Sequence, residues 1–210
     1  MNGWAATALV LYLAWAGVAF GVRAVVQRRR TGDAGFRGIS GRPGSAAWWA
    51  GVVFVLAVLG GAAAPVAALA GLPELPGTGP GWLRWAGPAV ALGGMAATLA
   101  AQGHMGASWR VGVDAGERTG LVTGGLFAHM RNPVFTAMTT MAVGLVLMVP
   151  NAVAAAALVA LVTAVQLQVR VVEEPYLAAV HGASYTAYTA RVGRYLPGIG
   201  RHRPARPARA

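Results

Sequence analysis

An arginine stands directly before a long apolar segment, in the stretch "FAHMRNPVFTAM" of residues 127–138. Asn132 can cap a helix and Pro133 suits its first turn, so these two residues need no functional explanation. Arg131 does need one. A helix N-terminus already favours an anion, and a guanidinium beside it makes a strong carboxylate or phosphate site. The alternative is that Arg131 extends to lipid phosphates at a membrane surface.

Two adjacent carboxylates, Glu173 and Glu174, stand in the stretch "VRVVEEPYL", just after another apolar segment. Carboxylates at the edge of a bilayer are costly unless cations or hydrogen-bond donors face them. Arg170 lies four residues before Glu174, so helical spacing predicts that these two pair. Glu173 then needs another partner, for which Arg131 is the candidate. A purely structural ion-pair network that closes a helix bundle is the alternative.

The composition indicates whether these side chains lie in water or at a membrane. The chain has 210 residues, of which 56% are hydrophobic and 11% charged, against about 25% charged in an ordinary soluble domain. All 17 basic residues are Arg and cysteine is absent, which excludes disulfides, thiolate metal sites and cysteine nucleophiles. We predict no metal site. The net charge of +11 lies in loops and a tail between apolar runs, which favours a membrane surface and not a nucleic acid as partner.

Five apolar segments approach the roughly 20 residues that a transmembrane helix needs. They are residues 4–26, 46–72, 82–101, 133–149 and 151–169. We therefore predict an all-α, polytopic membrane bundle of about five transmembrane helices, followed by a cytoplasmic helical region. The last two segments meet at "VPN", where a tight helical hairpin is expected.

The arginines predict the orientation of the bundle. The loop after the first segment contains five of them, whereas the next loop, "GLPELPGTGPGW", contains none. By the positive-inside rule the first loop is cytoplasmic, which places the N-terminus outside and the C-terminus inside. The exclusive use of arginine is typical of a GC-rich genome, which suggests a bacterial source. We therefore expect the protein in the bacterial inner membrane. We expect an N-terminal membrane region of three helices (1–101), a region with the hairpin and cytoplasmic helices (102–197) and a disordered basic tail (198–210).

Residues 103–197 resemble a group of integral membrane enzymes, the isoprenylcysteine carboxyl methyltransferases and phospholipid methyltransferases. The shared pattern is an "RHPxY"-like element, a helical hairpin, an "EE" pair and "GxxYxxYxxxVxRxLP". Here these elements are "RNPVF", "VEEPYL" and "HGASYTAYTARVGRYLP". The sequence departs from the pattern where Asn132 replaces the histidine and Phe135 the tyrosine. A role that requires the motif histidine is therefore in doubt, although His129 could supply an imidazole from a different place.

The resemblance implies a methyltransferase that uses S-adenosyl-L-methionine, bound on the cytoplasmic side, with a lipid or lipophilic acceptor that arrives from the bilayer. The carboxylate of this cofactor would suit Arg131 and the helix start behind it, formed by Asn132 and Pro133. Glu173 or Glu174 would accept hydrogen bonds from its ammonium or ribose hydroxyls. The region 102–197 would then be the catalytic region.

Two tyrosines and an arginine complete the cofactor site that the resemblance implies. Tyr185 and Tyr188 are three residues apart and share a helical face with Arg191. Their rings could flank adenine or the sulfonium, a contact worth about 0.5–2 kcal/mol. An aromatic belt at the membrane interface is the alternative for the tyrosines.

The stretch "HMGASWRVGVD" supplies a further arginine beside an aromatic ring. Arg110, next to Trp109, could position an anionic acceptor, or it could simply pair with Asp114 one helical turn away. We take Arg110 and His129 as the catalytic candidates, with His104 as a second possible base. A carboxylate acceptor needs no general base, whereas an amine or hydroxyl acceptor must lose a proton.

Carboxylate O-methylation is the function that we expect. One alternative is N-methylation of a phospholipid or other amine on the same fold. A second is an NADPH-dependent membrane reductase that is similar to sterol reductases, and a third is a membrane protein without enzymatic activity. The sequence leaves the acceptor and the oligomeric state open.

Overall fold

Five apolar helices form a bundle, and a sixth helix continues from the fifth. The computed structural model describes residues 2–78, 81–112 and 120–202, so Asp114 and residues 203–210 of the predicted tail lie outside the described residues. The helices are α1 (Asn2–Thr31), α2 (Ala46–Leu69), α3 (Trp82–Met105), α4 (Pro133–Met148), α5 (Ala152–Leu167) and α6 (Glu174–Arg191). The described residues contain isolated β-bridges but no strand. The all-α prediction is confirmed.

Three helical stretches are long and apolar enough to cross a membrane by length and composition, namely Asn2–Thr31, Ala46–Leu69 and Ala152–Arg191. Pro133–Met148 is apolar but shorter. Each predicted apolar segment is helical, but the end of the fifth, placed at residue 169, is wrong. A π-helical segment, Gln168–Glu173, joins α5 to α6 without a break. Pro175 has no N–H to donate inside this helix, which favours a locally wider turn.

The α4–α5 hairpin forms where it was predicted, and Asn151 caps α5. Its Oδ1 accepts a hydrogen bond from the Ala154 N–H at 2.8 Å, and its Nδ2 donates to the Ala64 carbonyl at 2.9 Å. Asn132 precedes α4 in the same way but makes no side-chain cap. Its Nδ2 donates instead to the Arg194 carbonyl at 3.0 Å. The cap that the sequence allowed at Asn132 is therefore replaced by a contact with a distant segment.

Glycines let the backbones of α3 and α4 approach each other closely. A Cβ on Gly94 would collide with the backbone of Met141, and one on Gly144 would collide with the backbone of Ala91. Small residues at helix contacts allow the close packing that holds membrane helices together. Because α4 carries Arg131 and Asn132 at its N-terminus, this contact also fixes the position of the polar residues described below.

We expect Gly94→Val to destabilise the protein by at least about 3 kcal/mol, because the clash is with backbone atoms that cannot rotate away. Thermal unfolding of the purified protein in detergent measures the effect. Gly93→Val is the matched control, since a Cβ at Gly93 meets nothing within 4 Å. If the two variants unfold at the same temperature, the tight α3–α4 contact does not stabilise the bundle.

A C-terminal strap (residues 192–202) crosses the N-terminus of α4. The Arg131 N–H donates to the Gly193 carbonyl at 2.8 Å, and the Thr136 hydroxyl donates to the Tyr195 carbonyl at 2.9 Å. The His202 N–H donates to the Thr189 carbonyl at 2.9 Å. Residues 198–202, which we assigned to a disordered tail, are thus held against the bundle, and the tail prediction is wrong for them.

Candidate active site

A polar cavity of about 130 Å³ lies beside the N-terminus of α4. Its charged lining consists of Arg110, Arg131, Glu173 and Glu174. These four side chains come from two stretches that are about forty or more residues apart in the sequence. The convergence that we expected between the arginine stretch and the glutamate pair is therefore present.

Arg131 is buried at the centre of this site, with 4% of its side chain exposed. Its Nη2 donates to Glu174 Oε1 at 3.0 Å and to the Gly200 carbonyl at 3.2 Å, and its Nη1 donates to the Thr189 carbonyl at 3.4 Å. Such burial excludes the alternative in which Arg131 extends to lipid phosphates. Its Nε is also buried but has no hydrogen-bond partner among the described residues. One strong donor of the guanidinium is left without an acceptor.

Glu174 is the carboxylate that pairs with Arg131, which corrects the pairing predicted from helical spacing. Arg170 does not reach Glu174 and donates instead to Gln166 Oε1 at 3.0 Å. Glu174 also accepts two hydrogen bonds from Arg194, at 2.8 Å from Nε and 3.0 Å from Nη2. This carboxylate raises the pKa of Arg194 above its usual value. Glu174 therefore joins α6, Arg131 and the C-terminal strap.

Arg194 is the site residue that the sequence analysis missed. We chose Arg191, but Arg191 is exposed and does not line the polar cavity. A signal was available, because Arg194 and not Arg191 occupies the arginine position of the "VxRxLP" element in "RVGRYLP". Helical spacing from Tyr188 favoured Arg191, whereas α6 ends at that residue and the strap turns back towards Glu174.

Glu173 faces both the polar cavity and a second cavity. Its carboxylate lies 3.4 Å from the Gln168 amide nitrogen, which donates to it. Arg110 also lines both cavities, and its guanidinium lies over the Tyr176 ring at 5.4 Å from the ring centroid. The site therefore has a guanidinium and a carboxyl group on the wall that the two cavities share.

The loop that carries Arg110 is held in place by the N-terminal part of the chain. Arg23 Nη2 donates to the carbonyls of Gln102 and Gly106 at 3.1 and 2.7 Å, and its guanidinium lies over the Trp109 ring at 5.4 Å. Trp109 is buried, and the neighbouring Val111 pairs with Phe36 in a parallel bridge. These contacts direct Arg110 towards the cavities.

Tyr185 and Tyr188 are buried in the wall of the polar cavity, so they do not form an interfacial belt. Their ring centroids lie 6.3 Å apart. The Tyr188 hydroxyl donates to the Phe127 carbonyl at 2.6 Å, and this hydrogen bond holds the Tyr188 ring in the cavity wall.

The histidines do not reach the site. His129 and His104 are both exposed, and neither lines the polar cavity or the second cavity. Among the described residues, no group of three or more His, Asp or Glu side chains could hold a metal ion. The side chains that remain for chemistry are the arginines and the two glutamates.

The second cavity is apolar and larger, at about 600 Å³, which lies in the range of roughly 300–1,000 Å³ that is usual for small-molecule sites. Its apolar wall comes from α1, α2 and α4, for example Phe20, Phe54 and Met138. Its polar end also lines the polar cavity and is formed by Arg110, Arg131, Asn132 and Glu173. Two molecules of different polarity could therefore meet at this shared wall.

Comparisons with known proteins agree with this arrangement. The sequence profile of the phospholipid methyltransferase family matches residues 82–184. No curated protein matches the chain. The chain is similar to the structure of the eukaryotic intramembrane Ras methyltransferase, isoprenylcysteine carboxyl methyltransferase, with 18% sequence identity and a TM-score of 0.56 over 91% of this chain and 67% of that chain. At this identity the likeness shows the fold alone.

Fold and profile together define a polytopic membrane protein of the methyltransferase class. More narrowly, residues 82–184 match the phospholipid methyltransferase family, and the fold of the chain is similar to that of isoprenylcysteine carboxyl methyltransferase. The predicted family and the predicted membrane fold are confirmed.

Proposed function

We propose that the protein transfers a methyl group from S-adenosyl-L-methionine to a lipophilic acceptor, with the cofactor in the polar cavity and the acceptor in the apolar cavity. One observation carries this proposal. A buried arginine with an unpartnered Nε–H binds Glu174 and lines, together with Glu173, the wall that a polar and an apolar cavity share. Such an arrangement suits a zwitterionic ligand on one side and an apolar chain on the other.

The residues of the polar cavity fit the groups of this cofactor. Arg131 offers Nε–H to the cofactor carboxylate, and Glu173 can accept from its ammonium or ribose hydroxyls. Tyr185 and Tyr188 offer ring faces to adenine or to the sulfonium. The bound cofactor would supply an electrophilic methyl group on sulfur. The chain itself needs to orient the two reactants and exclude water.

We propose a carboxylate as acceptor, held by Arg110 at the shared wall. A carboxylate needs no general base, which agrees with the exposed positions of His104 and His129. Because His129 lies outside both cavities, we assign it no catalytic role. N-methylation of a lipid amine is the second candidate, favoured by the match to the phospholipid methyltransferase profile. Glu173 is the group that could then accept the amine proton.

We also propose that the site faces the cytoplasm. The support is the cluster of Arg28, Arg29 and Arg30 at the end of α1, which the positive-inside rule places on that side. Arg23 connects this end of α1 to the loop that lines the cavities. A bacterial inner membrane is the membrane that we propose for this orientation.

Binding of S-adenosylhomocysteine tests the cofactor assignment. At a concentration of about 100 Kd we expect it to raise the unfolding temperature of the protein in lipid nanodiscs by about 5 °C or more. NADPH at the same concentration is the control and should cause no shift. Stabilisation by NADPH alone would favour the reductase alternative, and no shift with either ligand would contradict an enzyme of either kind.

A further inference from the structure

The middle of the C-terminal strap is a turn that exposes two large apolar side chains. Leu196 is 50% exposed and Ile199 is 64% exposed. The turn itself is well defined, because the Ile199 N–H donates to the Leu196 carbonyl at 3.2 Å and Gly198 has a φ of 76°. Proline at the second position and glycine at the third are the residues that a type II turn requires. The two side chains are therefore held outward by a stable turn.

Two exposed basic side chains follow this apolar pair. Arg201 and His202 follow the turn and are exposed, and the sequence beyond them adds only basic charge. Just before the turn, Tyr195 packs against the apolar core of the bundle. The turn thus lies at the edge of the apolar bundle with the cationic Arg201 beside it. An apolar pair next to cationic side chains is suited to the interface of a bilayer that contains anionic lipids.

The strap also contacts Arg131 and Glu174, the ion pair at the centre of the site. The Gly200 carbonyl accepts from Arg131 Nη2 at 3.2 Å, and the Arg194 guanidinium binds Glu174 through two hydrogen bonds. A third link runs from the Asn132 N–H to the Arg194 carbonyl at 3.1 Å. Displacement of the strap would therefore remove partners from Arg131, Asn132 and Glu174 together.

We propose that the turn at residues 196–199 binds the membrane surface through anionic phospholipid headgroups, and that this contact orders the cofactor site. The surface has the required chemistry, since the apolar pair enters the interface while Arg201 and His202 meet the headgroups. The strap can transmit the contact, because the residues on either side of the turn hold the site: Arg194 before it binds Glu174, and the Gly200 carbonyl after it accepts from Arg131. The second half of this proposal rests on the proposed binding of S-adenosylmethionine, whereas the lipid contact does not.

A fluorescent label tests the lipid contact by itself. The chain contains no cysteine, so Ile199→Cys allows a single site to be labelled with a polarity-sensitive dye. In nanodiscs with brominated phosphatidylglycerol we expect quenching of at least about half that seen for a label at Leu92→Cys on the apolar α3 helix. Less quenching is expected when the brominated lipid is phosphatidylcholine. Quenching by aqueous iodide but not by brominated lipid would overturn the lipid contact.

Ligand affinity tests whether the lipid contact of the turn orders the cofactor site. We expect the wild-type protein to bind S-adenosylhomocysteine roughly fivefold or more tightly in nanodiscs with phosphatidylglycerol than in phosphatidylcholine alone. The double variant Leu196→Ser, Ile199→Ser should lose this difference and bind at the weaker affinity. Because both side chains are exposed, the variant should keep its unfolding temperature within a few degrees.

Val10→Ser with Leu13→Ser is the matched control, since these α1 side chains are 65% and 56% exposed and lie outside the strap. This control should keep the lipid dependence. A strap variant with wild-type affinity and wild-type lipid dependence would overturn the coupling. If the wild-type protein binds no S-adenosylhomocysteine in any lipid, the proposed function fails instead, and the quenching experiment still decides the lipid contact.

Discussion

Replacing Arg131 with methionine should lower the affinity for S-adenosylhomocysteine at least about 100-fold, because a hydrogen bond to a charged group contributes about 1.5–3 kcal/mol and the cavity also loses its central positive charge. Methionine fills a similar volume, so the cavity keeps its shape. Isothermal titration calorimetry in nanodiscs measures the affinity directly. Arg131→Lys should also bind weakly, since an ammonium keeps the charge but lacks the Nε–H and the planar geometry of the guanidinium.

Arg191→Met is the matched control, because Arg191 is exposed at the end of α6. It should bind S-adenosylhomocysteine with nearly the wild-type affinity. The experiment also separates the cofactor role of Arg131 from a purely structural one. If Arg131 only holds the C-terminal strap, Arg194→Met should weaken binding as much as Arg131→Met does. Wild-type affinity in a folded Arg131→Met protein would remove Arg131 from the cofactor site.

The sequence predicted which residue types converge but not which carboxylate pairs with which arginine. The spacing of Arg170 and Glu174 indicates a pair only in a regular α-helix. The structure inserts a π-helical segment, Gln168–Glu173, between α5 and α6. A π-helix has more residues per turn, so it changes which side chains share a face. Pro175 was visible in the sequence, but whether a proline breaks, bends or widens a helix depends on its neighbours.

The C-terminal strap could not be predicted from residue types, because backbone carbonyls make most of its contacts. The carbonyls of Gly193, Arg194 and Gly200 bind residues at the start of α4. Any residue can present a carbonyl, so no sequence pattern signals such contacts. The same reason explains why Asn151 caps its helix while Asn132 does not. The difference between them comes from a segment about sixty residues away.

The apolar cavity is a second feature without a sequence signal. Its wall includes Phe20, Ile39 and Phe54, from the part of the chain in which we found no motif and which lies outside residues 82–184 that match the family profile. A cavity depends on how helices diverge and on where side chains are missing, whereas composition only shows that a segment is apolar. In this proposal, the N-terminal helices therefore help to select the apolar part of the acceptor, and residues 82–184 supply Arg131 and Glu173 to the cofactor site.

Replacing the two glutamates in turn should separate fold stability from ligand binding. Glu174 accepts hydrogen bonds from both Arg131 and Arg194. In Glu174→Gln the buried Arg131 loses its anionic partner, which should cost roughly 2–4 kcal/mol of stability. Glu173 does not hold Arg131 or Arg194: among the described residues it accepts a hydrogen bond from the Gln168 amide at 3.4 Å, and it faces Arg110 across the cavity wall. In Glu173→Gln we expect stability within about 1 kcal/mol of wild type.

Ligand binding should respond differently from stability. Glu173→Gln replaces one oxygen of the carboxyl group that faces both cavities with an amide NH2, which cannot accept a hydrogen bond, so it should lower the affinity for S-adenosylhomocysteine by about tenfold. Its unfolding temperature should stay close to that of wild type. Thermal unfolding measures the stability of the two variants, and calorimetry on the same preparations measures their affinity for the ligand. The opposite outcome is a stable Glu174→Gln protein and an unstable Glu173→Gln protein. It would show that Glu173, not Glu174, pairs with Arg131, and the assignment of Glu173 to the ligand would then be wrong.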